Sequence, residues 1–207
     1  MRSDSASASA SAAEPDLRKL KEDIVFTAAP LGRSLTFRST WGLFSPRGID
    51  DGTAMLLRHA DIRPGEVALD LGCGYGVVGL AIAAQSPESR VHLVDRDYVA
   101  VEYARRNAEA NGLANCHVYL SNAFSAVPAD VRFDHVAANL PAKVGKELLS
   151  IILYDAWSRL RPGGRITVVT VNGLRKFIRR NLEQVFGSFR KLKQGPHHTV
   201  SMAHVSE

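Results

Sequence analysis

Residues 67 to 76 read Val-Ala-Leu-Asp-Leu-Gly-Cys-Gly-Tyr-Gly, and nineteen residues beyond Gly76 stands Asp95, closing the apolar run Val91-His92-Leu93-Val94. The stretch combines a buried strand ending in an acid, a turn with glycine at alternate positions, a helix, a second strand and a second acid. Glycine admits backbone conformations and close approaches that a Cβ would forbid. A chain that spaces glycines in this way between a strand and a helix brings its backbone against a ligand, with carboxylates at two separate points.

Two ligands answer that description. Gly74-Tyr75-Gly76-Val77-Val78-Gly79 satisfies the G-x-G-x-x-G pattern of dinucleotide sites, and Asp95 lies at a workable distance from it. In that register, however, Asp70 interrupts the strand four residues before the first glycine. Its charge would repel a pyrophosphate resting on the helix N-terminus. A cationic ligand suits Asp70 better. S-adenosylmethionine has an ammonium, a sulfonium and a ribose diol, and an acid closing the second strand can accept from the ribose hydroxyls.

Length and composition set the frame. A chain of 207 residues folds as one domain with an adequate core. Two cysteines, Cys73 in the glycine loop and Cys116, form no disulfide framework and fit a reducing compartment. No apolar run approaches the roughly eighteen residues of a membrane span. The Ser/Ala-rich start carries Asp4 and Glu14 and lacks the apolar stretch of a signal peptide. A cytoplasmic protein is expected, with a disordered tail over 1–15 and a single domain over 16–207.

From residue 66 onward, strands alternate with helices. The patterning predicts strands at 67–70, 91–94, 117–120, 133–138 and 165–171, and helices at 76–85, 98–111, 145–160 and 173–186. Alternation of this kind builds a mostly parallel sheet with helices on both faces. The last two strands, near 189–193 and 198–204, are too close for a helical crossover and form an antiparallel hairpin. The expected fold is α/β, a doubly wound seven-stranded sheet. Before its core at 61–207, an extension over 16–60 should hold a short helix at Asp16–Asp23. A hairpin of Leu35–Arg38 with Gly42–Ser45 and a helix near 52–59, capped by Asp50 or Asp51, should follow.

Open sheets of this type bind ligands at the carboxyl ends of their strands. The residues expected there are the 70–76 loop, Asp95-Arg96, Asn122-Ala123, Asn139-Leu140-Pro141 and Asn172-Gly173. Asn139 closes a strand, and the following Pro141 restricts the local backbone direction. Its amide oxygen and a neighbouring carbonyl can accept from an amine or amide N–H. The same tripeptide would also serve as a plain strand-ending turn. No metal ligand set and no Ser/His/Asp elbow is present in the sequence. The net charge is +5, and Arg175, Lys176, Arg179 and Arg180 share one side of an amphipathic helix, either as a solvated face or as a phosphate contact.

Residues 35 to 205 resemble the methyltransferase small domain family of class I S-adenosylmethionine-dependent enzymes, which have a Rossmann-like fold and include ribosomal RNA guanine-N2 methyltransferases. The likeness rests on Gly42-Leu43-Phe44-Ser45, Gly48-Ile49-Asp50-Asp51-Gly52-Thr53, Asp70-Leu71-Gly72-Cys73-Gly74-Tyr75-Gly76, Asp95 and Arg161-Pro162-Gly163-Gly164. It implies S-adenosylmethionine as cofactor, held by Asp50, Thr53, Asp70, Gly72, Cys73, Gly74, Tyr75, Gly76, Asp95, Arg96, Asn122, Ala123 and Asn139. Asp70 and the glycines would take the methionine end, Asp95 the ribose, and Asn122 and Ala123 the adenine. Asn139, Leu140 and Pro141 would form the catalytic motif, with RNA as partner and no membrane or metal. Trp41, Phe44, Ser45 and the four basic residues of the 173–186 helix would bind that substrate.

The chain departs from the family at two points. Asn-Pro-Pro plus a bulky residue is usual where this chain has Asn139-Leu140-Pro141-Ala142, so stacking on a base falls to Phe44, Trp41 or Phe37. Asn-Leu-Pro is itself similar to transfer RNA guanine-N1 methyltransferases. Asn122 replaces a common Asp. The alternatives are therefore a guanine-N1 enzyme, a small-molecule or protein amide methyltransferase, and a donor-binding module without turnover.

Overall fold

The computed structural model describes residues 22–206. Its central sheet has seven strands: β3 (Val67–Leu71), β4 (Arg90–Asp95), β5 (Cys116–Leu120), β6 (Phe133–Asn139), β7 (Leu160–Val171), β8 (Arg190–Gln194) and β9 (His198–His204). They lie in the order β5-β4-β3-β6-β7-β9-β8, parallel except for β9, which is antiparallel to both β7 and β8. This is the doubly wound sheet with a C-terminal hairpin that the sequence predicts.

Strict alternation along the strands divides the core into two layers. Ala68, Val91, Leu93, Ala137, Val169 and Val200 face one cluster, packed under α1 (Asp51–His59), α2 (Val77–Gln85) and α3 (Tyr98–Ala110). Leu69, Leu71, Val94, Val136, Ala138, Ile166 and Val168 face the other, under α4 (Lys146–Arg159) and α5 (Arg175–Phe186). Between β5 and β6 the chain makes no helix, and Phe124 and Val127 are buried in this second layer instead. The chain winds outward from β3 through β4 to β5, then returns to β6 on the other side of β3. The switch point therefore falls between the ends of β3 and β6, where Asp70 and Asn139 stand.

The small N-terminal hairpin is present, but one of its strands differs from the expectation. β2 (Leu35–Ser39) pairs antiparallel with β1 (Ile24–Ala28), not with Gly42–Ser45. Gly42 at φ 96° and Ser45 at φ 47° leave the extended region, so 40–48 is a turn-rich loop. The other edge of β2 is closed by two asparagines one turn apart, Asn107 on α3 and Asn111 at its C-cap. Asn107 Oδ1 accepts from Arg38 N–H at 2.7 Å while its Nδ2 donates to the Arg38 carbonyl at 2.8 Å. Asn111 does the same to Thr36, at 2.9 and 2.8 Å. Each side-chain amide thus replaces a strand neighbour.

The other expected boundaries hold within a residue or two, except at the start of β7, expected at Arg165 and found at Leu160. Arg161-Pro162-Gly163-Gly164 belongs to the start of β7, where Leu160 pairs with Phe133 ahead of a bulge. The basic helix begins at Arg175 after a short 3₁₀ turn, Asn172–Leu174. The tail over 1–15 and residues 16–21 of the Asp16–Asp23 helix lie outside the described residues, and Glu22 and Asp23 are not helical. No helix among the described residues is long and apolar enough to cross a membrane.

Candidate active site

The glycine turn that follows β3 is built by its backbone. Gly72, Gly74 and Gly76 all have positive φ, at 74°, 55° and 99°. The N–H groups of Gly72 and Cys73 both reach the Val94 carbonyl at 2.9 Å, which ties the turn to β4. Asp95 completes the tie: its Oδ2 accepts from Gly74 N–H at 2.9 Å and its Oδ1 from Asp97 N–H at 3.0 Å. Each oxygen retains acceptor capacity, so the carboxylate remains able to take a hydroxyl.

Asp70 sits on the α1–α3 side of β3, only 2% exposed, and its Oδ2 accepts from Gly79 N–H in the first turn of α2 at 2.7 Å. Burial pushes its pKa up to about 7, with the Asp95 charge adding to the rise and the Gly79 N–H opposing it. A desolvated carboxylate with no cation beside it is costly in its charged form. A cationic ligand would remove that cost. Burial likewise pushes the neighbouring Cys73 thiol well up, so it is no nucleophile at neutral pH.

Asn139, at the end of β6, is held by its amide nitrogen. Nδ2 donates to Thr53 Oγ1 at 2.9 Å and to Asp50 Oδ1 at 3.3 Å. A carboxylate only accepts, so this pairing fixes which branch of the amide is nitrogen. Asp50 is itself the N-cap of α1, accepting from Thr53 N–H at 3.0 Å. Among the described residues no donor reaches Asn139 Oδ1, so the amide is oriented with its oxygen available.

These groups line one cavity of about 430 Å³ at the carboxyl edge of the sheet, within the usual range for small-ligand sites. Asp50, Thr53, Asp70, Gly72, Cys73, Gly74, Tyr75, Asp95, Arg96, Asn122, Ala123, Asn139, Leu140, Pro141 and Phe44 all border it. Ala123 adopts φ 50°, a strained conformation for a residue with a Cβ. Ser121, accepting from Ala126 N–H and donating to the Ala123 carbonyl at 2.6 Å, holds it there.

Several expected site residues lie elsewhere. Gly76 caps α2 behind the turn, where a Cβ would meet Leu80 at 3.1 Å; its role is packing rather than contact. Ser45 is a loop residue whose Oγ donates to the Gly48 carbonyl. Trp41 is outside the lining and carries the Arg47 guanidinium 4.6 Å above its ring. Arg175, Lys176, Arg179 and Arg180 lie along α5, beyond the cavity wall. Sequence reasoning missed Val144, Leu148 and Ile152, which wall the cavity from the α4 side. The signal was the run Leu148-Leu149-Ser150-Ile151-Ile152-Leu153, too apolar for a helix with a single buried face.

Residues 34–202 match the methyltransferase small domain family. The chain belongs to that family. Methyl transfer is the family's activity, and S-adenosylmethionine is its cofactor. The residues present fit such a donor: a buried carboxylate for its cationic end, an acid closing β4 for its ribose, and a glycine turn that admits close approach. The chain is 36% identical over 140 residues to the ribosomal RNA small subunit methyltransferase C of Klebsiella pneumoniae, covering 66% of this chain and 40% of that protein. It is 32% identical over 140 residues to the uncharacterized protein YbxB of Bacillus subtilis, covering 66% and 69%. A structural neighbour is the T. thermophilus 16S rRNA N2 methyltransferase RsmC, solved with AdoMet and guanosine, at 30% identity and a TM-score of 0.79. That match covers 87% of this chain and 50% of RsmC, so the chain spans half or less of the two ribosomal RNA methyltransferases.

Proposed function

We propose that the protein methylates the exocyclic N2 of a guanine in RNA, with ribosomal RNA as the substrate class. The observation that carries the reading is the oriented amide of Asn139. With Nδ2 engaged by Thr53 and Asp50, its Oδ1 is positioned to accept from an amino group at the switch point, next to Asp70. The donor supplies an electrophilic methyl group. What remains for the protein is to hold the acceptor nitrogen on the axis of displacement. An exocyclic amine shares its lone pair with the ring, and accepting its N–H bonds turns that pair toward the methyl carbon. The 30% identity to an RNA N2 enzyme solved with guanosine supports guanine as the target. A base in RNA must leave its stack to reach such a cleft.

α5 supports an RNA acceptor. It starts directly after the carboxyl end of β7, so Arg175 and Lys176 stand on the cavity's edge of the sheet. Lys146, at the start of α4, lies 5.9 Å from the Phe177 ring and adds a positive charge beside α5. Arg179 is engaged by Glu183 at 2.8 Å, which leaves Arg175, Lys176 and Arg180 as the phosphate contacts. Asn139→Ala tests the central residue. Methyl transfer should fall at least 100-fold, as for the loss of an oriented group at a reacting centre. Donor affinity, measured by calorimetry, should hold within about threefold. Unchanged turnover would remove Asn139 from the mechanism.

A further inference from the structure

The loop over 40–48 ends a hairpin yet is fastened far more tightly than a connection needs. The buried Tyr75 hydroxyl, in the glycine turn, donates to both the Ser45 and Gly48 carbonyls at 3.0 Å. Ser45 Oγ donates to the Gly48 carbonyl at 2.7 Å, and Ser39 Oγ to the Pro46 carbonyl. Leu43 is anchored in the core. Ser45 is held at φ 47° throughout, a left-handed conformation that costs a non-glycine residue energy. What this framework projects is Phe44, an aromatic side chain 69% exposed and at the same time part of the cavity wall.

We infer that Phe44 is the stacking platform for the acceptor base, held over the cavity by the Tyr75-clamped loop. The inference rests on the nucleobase reading above and deepens it. Phe44 follows Leu43, which is anchored in the α1–α3 layer, whereas Val144 and Ile152 pack in the α4 layer, with Leu148 beside them on α4. The cavity thus has an aromatic wall residue and aliphatic ones, and Asn139 lines the same cavity. A planar heterocycle suits that lining, and an aliphatic amide would gain nothing from the aromatic residue. The other aromatic candidates are excluded by position. Phe37 is fully buried and stacked on Phe26 at 5.5 Å. Trp41 stands outside the lining with a face taken by Arg47. Ala142, after the Asn-Leu-Pro motif, has no ring to offer. Arg47 also brings a positive charge to the loop that carries Phe44.

The test compares wild type, Phe44→Ala and Phe44→Trp in methylation of unmodified ribosomal RNA, with donor affinity measured in parallel. Because Phe44 is largely exposed, all three should unfold at the same temperature within about 2 °C. Stacking on one base predicts a fall of about 10- to 100-fold in kcat/KM for RNA in Phe44→Ala. Phe44→Trp should recover most of that loss, and donor affinity should hold within about threefold. Activity of Phe44→Ala within threefold of wild type, an equal loss in both variants, or a matching loss of donor affinity would each overturn the assignment. If wild type binds the donor but labels no RNA, the RNA reading fails and the base platform falls with it. If wild type labels RNA and Phe44→Ala does so equally, only the platform fails.

Discussion

Asp70 gives donor binding a pH dependence whose size follows from the structure. In the ligand-free protein, burial holds its pKa at about 7 against an ordinary 3.8. The group therefore favours folding when protonated, and that contribution is lost as pH rises from about 4 to about 7. A bound cation reverses the balance, because it stabilises the charged carboxylate and draws the pKa back down. At pH 6 about nine-tenths of the ligand-free molecules carry the proton, so binding must release about 0.9 of a proton. Affinity should then climb about 15-fold between pH 5.5 and 7, with about a further twofold above it. The window lies below the titration of the donor's own α-amino group, near about 7.7–8.0. Calorimetry in two buffers of different ionisation enthalpy counts the protons directly. Asp70→Asn should bind more weakly and without the pH dependence. Affinity flat within threefold from pH 5.5 to 7.5, with no buffer dependence, would refute the placement of a cation beside Asp70.

Two further outcomes are expected. Gly79→Ala places a Cβ 2.4 Å from Leu93 Cγ, in the helix whose N–H holds Asp70; overpacking should cost about 1–3 kcal/mol, read as a fall of several degrees in thermal midpoint and weaker donor binding. Replacing Arg175, Lys176 and Arg180 together by alanine should weaken RNA binding, lower the slope of log affinity against log salt by up to about 3, and leave donor affinity unchanged. Normal RNA affinity in that variant would make the α5 surface a solvated face only.

The sheet and most of the site edge could be read from the sequence because both depend on local pattern. Alternation of apolar residues marked the strands, and strand ends locate the ligand edge in any open parallel sheet. Asp70, Asp95 and Asn139 were legible as polar residues closing otherwise apolar strands. What escaped depends on contacts distant in the chain. The pairing of β1 with β2 required a partner before residue 30, where no strand was expected. The closure of β2 by Asn107 and Asn111, sixty-nine and seventy-five residues away, has no local trace beyond two asparagines four apart at the end of a helix. Tyr75 read as a cofactor residue within the glycine turn, yet its hydroxyl is the fastening of the 40–48 loop. The choice among Phe37, Trp41 and Phe44 also depended on burial, which three nearby aromatics do not reveal in sequence.

The measurement that bears most directly on the central claim is the identity of the methylated nucleoside. The protein, incubated with methyl-labelled S-adenosylmethionine and unmodified ribosomal RNA or ribosomal subunits, should yield label that digestion and chromatography identify as N2-methylguanosine. N1-methylguanosine would contradict the assignment of the exocyclic nitrogen. Donor binding without labelled RNA would contradict the RNA acceptor itself.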